Sequence, residues 1–296
     1  MWRKAALCLA LSVLPTMAPA AATYQLAPFR DALFQYPNVV ETRDDGDYVV
    51  VGYDKQRDLY GRDQVPERRV WSQYVKTVRK TNARYVVDGK DLKFVGVGKF
   101  DGGARAVVIY VHGQGGDRFQ GANDWMFGGN FNRVMNLMAQ NSGAYISPDF
   151  TDIDAKGTAE IKLLLLDQAR RSPNAAIFVA CGSQGGAICW NLARDPGVTP
   201  HLSGLLLLGS MHDDAFIKSP ALRPGGRKIP IYIGHGTEDP IFAWQDEVAF
   251  YESVRKASPG YPIRIALFAT GPHGTPIRMT DWRLTLNWML AAAPQP

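Results

Sequence analysis

Three residue types that act together in nucleophilic chemistry recur here in short glycine-rich clusters. Ser183 sits in Cys181-Gly182-Ser183-Gln184-Gly185-Gly186, between the apolar run Ala175–Ala180 and a helix-like segment from Gly185 to Arg194 ended by Asp195-Pro196-Gly197. A serine on so sharp a strand-to-helix turn exposes its Oγ, and small residues flank it because a Cβ there would strike the adjoining strand and helix. Gly-x-Ser-x-Gly is the usual pattern for such a turn; Cys181 stands at the first glycine position, where a small, buried side chain is tolerated. Serine is a poor nucleophile at neutral pH. It needs a base to take its proton and a carboxylate to fix that base's tautomer and stabilise the imidazolium. His273, in Gly271-Pro272-His273-Gly274, is the candidate base, and Asp239, in His235-Gly236-Thr237-Glu238-Asp239-Pro240, the candidate acid. Asp213 and Asp214 are rivals for the acid; His112 and His235 read as structural, His201 and His212 as surface residues. A developing oxyanion needs two preorganised backbone donors. Gln184, next after the serine, is placed to supply one, and Gln114, in His112-Gly113-Gln114-Gly115-Gly116, the other.

These clusters need elements to hold them. From Ala104 onward, unalternated apolar runs at Ala106–Val111, Ala144–Ser147, Ala175–Ala180, Gly204–Leu208, Ile229–Ile233 and Ile263–Phe268 read as buried strands. Helical patterns fall between them, around Phe131–Gln140, Thr158–Arg171, Gly185–Arg194 and Trp244–Lys256, with a last one at Trp282–Ala292. That alternation predicts a mostly parallel central sheet with helices on both faces, whose functional loops gather at the carboxyl ends of the strands. Each candidate cluster follows a strand, and the chain order is Ser, Asp, His.

The remaining segments set the context. Residues 1–22 carry Arg3 and Lys4, an apolar run from Ala5 to Leu14, and Ala18-Pro19-Ala20, which predicts a secretory signal peptide and hence an exported, periplasmic or secreted protein. No run is long enough to predict a membrane span. Residues 23–296 read as one domain, with edge strands and a connection at 23–103 and the core at 104–292. Within the first part, Asp47–Tyr53 and Asp91–Val97 look like strands, and the Arg-, Lys- and Asp-rich stretch Arg57–Arg84 like a solvated connection at a sheet edge. The net charge of +5 falls to +3 without Arg3 and Lys4, too mild a balance to point to nucleic acid. Cys181 and Cys189 are left after cleavage; a strand end and a helix interior seldom bring Cβ vectors together, so two buried free thiols are expected. No Cys/His cluster has metal-ligand spacing.

From about Ala104 to Ala292 the chain resembles the α/β-hydrolase superfamily. Ser183-Gln184-Gly185-Gly186-Ala187, His112-Gly113-x-Gly115 and His235-Gly236-x-x-Asp239 are similar to the carboxylesterase and acyl-protein thioesterase branch. The resemblance implies hydrolysis of a small-molecule ester or thioester through an acyl-enzyme, without a cofactor. The twenty residues 209–228 are too few for a large lid domain, which implies an open site. Trp125, Phe127, Phe242 and Trp244 are candidates to line a substrate pocket. A peptidase of the same fold and a non-catalytic exported binding protein are the alternatives, and the oligomeric state is open.

Overall fold

The computed structural model describes residues 24–64 and 69–293, so the signal-peptide reading of residues 1–22 lies outside the described residues. In chain order the strands are β1 (Val39–Arg43), β2 (Tyr48–Gly52), β3 (Asp63–Gln64), β4 (Arg69–Val70), β5 (Lys80–Val87), β6 (Lys90–Gly98), β7 (Ala106–Val111), β8 (Ala144–Pro148), β9 (Ala176–Gly182), β10 (Leu202–Leu208), β11 (Ile231–Gly236) and β12 (Ile263–Ala269). The helices are α1 (Asp31–Phe34), α2 (Asn130–Gln140), α3 (Ala155–Arg171), α4 (Gly186–Arg194), α5 (Trp244–Ala257), α6 (Thr275–Met279) and α7 (Trp282–Ala292).

Ten strands form one sheet in the order β1-β2-β12-β11-β10-β9-β7-β8-β6-β5. From β2 to β8 every pairing is parallel; β1 at one edge, and β6 and β5 at the other, are antiparallel. Side chains alternate between two cores, as the period of two requires. Ile109, Val179 and Leu207 face α3, α4 and α5, which contribute Leu164, Ile188 and Phe250. Val108, Phe178 and Leu206 face α2 and α7, which contribute Val134 and Leu286. Both faces are therefore covered, and that burial is why the strands read as continuous apolar runs. The connection from β10 to β11 holds only two one-turn helices, Asp214–Lys218 and Pro220–Leu222, with no inserted lid domain. No helix among the described residues is long and apolar enough to cross a membrane.

Two expectations change. Cys181 and Cys189 are not free thiols: they form a disulfide, with Cα atoms 6.3 Å apart. The reason is the tightness of the turn at Ser183. It folds α4 back onto β9, so that Cys189 Sγ comes within 3.9 Å of the Val179 carbonyl and in reach of the strand end. The stretch from Arg57 to Arg84 is not simply a solvated connection either. Asp58, Arg62, Val70 and Tyr74 are buried, β3 and β4 pair antiparallel, and Lys80–Val87 is the edge strand β5. Paired charges hid the burial: Arg57 makes two bonds to the Asp58 carboxylate, at 2.8 and 2.6 Å.

Candidate active site

Ser183 follows β9 directly and takes φ 51°, a left-handed conformation that a non-glycine residue adopts at a cost of about 1 kcal/mol or more. Ser210 Oγ donates a 2.6 Å bond to the Ser183 carbonyl and helps to hold it there. The turn is so close to the end of β7 that a Cβ on Gly185 would lie 2.5 Å from the His112 carbonyl oxygen. A Cβ on Gly113 would lie 2.9 Å from the Ser183 Cβ. Glycine at 113 and 185 thus reflects close approach of the serine turn and the turn after β7.

Three strand ends supply the groups around the serine. His273 Nε2 lies 2.9 Å from Ser183 Oγ, and His273 Nδ1 lies 2.7 Å from Asp239 Oδ2. The Asp239 carboxylate is fully buried while the His273 side chain is 30% exposed, so the acid is shielded and the base reaches solvent. Asp239 Oδ1 accepts from the backbone N–H of Ile241 at 2.8 Å and of Phe242 at 3.3 Å, which fixes the carboxylate's rotation. His235, buried one turn of chain earlier, has Nε2 at 3.1 Å from the Phe242 carbonyl oxygen and 3.4 Å from Asp239 Oδ2. Both neighbours are acceptors, so Nε2 carries the proton, and the buried Nδ1 has no partner among the described residues. His235 thus packs against Asp239 and the backbone that holds it.

The rivals for the acid point elsewhere. Asp213 caps the Ala215 N–H and pairs with Arg194 at 2.8 Å, and the Asp214 side chain is 84% exposed. His212, read as a surface residue, is partly buried against Glu247, at 3.1 Å, which raises its pKa. His112 stacks on Phe150 with ring centroids 4.1 Å apart, and burial lowers its pKa. The N–H groups of Gln114 and Gln184 are unused in the turn and loop hydrogen bonds of the described residues. Gln184 is the second residue of the helical turn Ser183–Gly185, where an N–H has no acceptor within its own helix.

The four pocket candidates separate into pairs. The Phe242 ring lies 6.0 Å from the His273 ring, and Phe127 sits over the next residue, where a Cβ on Gly274 would lie 3.3 Å from Phe127 Cε1. Trp125 instead packs beside Phe34, Val70 and Tyr74, under the Arg69 guanidinium at 4.0 Å. Trp244 opens α5 and packs against the sheet core.

Residues without any motif brace this site. Arg278, five positions beyond His273, makes a two-pronged ion pair with Asp63 at 2.9 and 2.8 Å and also donates to the Asp58 carbonyl. Arg62 donates a 2.6 Å bond to the Gly128 carbonyl, lies 4.7 Å from the Tyr74 ring centre, and has its pKa pushed down by burial to about 10. The one signal for them was the Arg/Asp density of residues 54–63, which a solvated surface would show equally well.

Scanned against models of known families, the chain matches none, and no curated protein matches it. Its structure does match solved ones. The Pyrococcus furiosus esterase Pf2001 superposes with a TM-score of 0.52 at 14% identity, over 73% of this chain and 93% of that one. TT1662 from Thermus thermophilus gives 0.51 at 17% identity, over 72% and 99%. A thermostable esterase from Pseudomonas putida gives 0.52 at 15% identity, over 76% and 88%. At these identities the likeness is one of fold: the chain has the α/β-hydrolase fold.

Proposed function

We propose that this protein is a serine hydrolase that cleaves carboxylic ester or thioester bonds through an acyl-enzyme. The observation that carries the reading is the continuous chain of contacts from the buried Asp239 through His273 to Ser183 Oγ. Ser183 Oγ attacks the substrate carbonyl carbon while His273 Nε2 takes its proton. The new oxyanion is held by the N–H groups of Gln184 and Gln114. The tetrahedral carbon then expels the alcohol or thiol, which takes the proton back from His273. Water, deprotonated by the same nitrogen, attacks the acyl-serine to release the acid and restore the enzyme. The esterases among its structural neighbours support ester chemistry on this fold. Export through residues 1–22 belongs to the same proposal, supported by a disulfide of the kind that persists in oxidising compartments.

A fluorophosphonate probe tests the reading. It should label Ser183, and Ser183→Ala should abolish labelling and lower kcat by about 10⁴ to 10⁶. Labelling retained in that variant would reject the assignment.

A further inference from the structure

The two sides of Ser183 differ in chemistry, and the difference reads as a substrate preference. Because His273 returns the proton to the leaving oxygen, the leaving group lies on the histidine's side, where Phe242 is. The acyl chain must extend the other way, past Gln184. There a cleft of about 340 Å³ lies between the turn at Gly113–Gly116 and the segment Phe150–Ile153, and Gln184 also lines it. It abuts the nucleophile, since Gly113 packs on Ser183 and Gln184 follows it in sequence.

Its walls are set and polar. The stacking of His112 on Phe150 fixes one wall against the other. Asp152 Oδ1 accepts the N–H groups of Asp154 at 3.1 Å and Gly157 at 2.9 Å, which fixes the carboxylate and leaves Oδ2 free for a donor. The side chains of Gln114, exposed, and Gln184, half-buried, line the cleft, and their amides offer both donors and acceptors. Resting on the serine hydrolase reading, we propose that this cleft is the acyl subsite and that it selects acyl groups bearing a hydroxyl. The hydroxyl donates to Asp152 Oδ2 and accepts from a glutamine amide. A plain alkyl chain makes neither bond and leaves these solvent-facing groups to water, so it lacks the contacts that hold a hydroxyacyl group here.

The test keeps the leaving group constant. Purified protein is assayed with p-nitrophenyl butyrate, 2-hydroxybutyrate and 3-hydroxybutyrate, each corrected for spontaneous hydrolysis. One hydroxyacyl ester should exceed butyrate in kcat/KM by about tenfold or more. Asp152→Asn keeps the acceptor for the Gly157 N–H and replaces the anionic Oδ2 by a neutral amide donor; the ratio of kcat/KM between the hydroxyacyl ester and butyrate, both measured on the variant, should fall toward unity. Butyrate turned over as well as both hydroxy esters, or a preference that survives Asp152→Asn, would overturn the proposal. If no ester is turned over and the fluorophosphonate fails to label Ser183, the hydrolase reading falls first and this subsite with it.

Discussion

The segments after β7, β9, β11 and β12 and the region from residue 24 to 100 meet at the same site but contribute differently. The strand-end segments supply Ser183, Asp239, His273 and the N–H groups of Gln114 and Gln184, and each stands in a short glycine-rich turn. The N-terminal region supplies no such group. It supplies Asp63 to Arg278, Arg62 to the carbonyl beside Phe127, and Asp31 to the fully buried Arg133 at 3.1 Å. Tyr36 adds a 2.9 Å bond to the Tyr232 hydroxyl, and burial raises its pKa well above the ordinary tyrosine value. Chemistry is concentrated in turns with a recognisable pattern. Position is spread over charged and aromatic residues that have none.

Four changes separate the two contributions. The largest effect belongs to the acid. Asp239→Asn should keep the melting temperature near wild type while kcat falls by about 10⁴, because the asparagine cannot hold the His273 tautomer. Asp213→Asn and Asp214→Asn should leave kcat within about twofold; a large loss in either would move the acid to the loop after β10.

Next comes the brace. Asp63→Ala leaves the mostly buried Arg278 without its partner, which should cost about 3 kcal/mol and lower the melting temperature by several degrees. If the N-terminal region only positions the site, kcat should fall by about tenfold, well short of the loss in Asp239→Asn. An equal loss would erase the contrast between the regions.

The disulfide tests bracing within the core itself. It closes a loop with a sequence separation of 8, for which chain entropy gives about 2.5 kcal/mol. Thiol titration of the denatured protein should find neither Cys181 nor Cys189 free, and a Cys181→Ala/Cys189→Ala double variant should melt lower. A variant as stable as wild type would remove the link between the elbow strand and α4 from the account.

The smallest effect is the pH dependence at His212. Glu247 raises its folded pKa, with smaller contributions from Asp214 and Asp246, so its stabilisation is fully present below the unfolded value of about 6.5 and lost as pH rises through the folded one. The melting-temperature gap between wild type and His212→Gln should therefore narrow between about pH 6 and pH 9. A constant gap would show that packing against Phe250, not charge, is what His212 contributes.

How much of this was legible depended on the range of the interactions. The parallel strands were readable because burial on both faces imposes continuous apolar runs. Ser183, Asp239 and His273 were readable because each lies in a turn whose close approaches demand small neighbours. The partners of Arg62, Asp63 and Arg133 were not readable. A buried ion pair and an exposed charge have the same composition, and these partners lie 66, 215 and 102 positions away in sequence.

The sequence by itself determined the alternation of elements, the strand ends at which polar clusters would collect, and the order Ser, Asp, His, since all are local patterns of residue type. Only the tertiary structure decided the rest. It joined Cys181 to Cys189, and it put Phe242 beside His273 and Phe127 over Gly274 while sending Trp125 and Trp244 elsewhere. It also turned the charged stretch after residue 57 into a brace. Each of these rests on where a helix folds back or which distant backbone a side chain meets, and a local pattern carries no record of either.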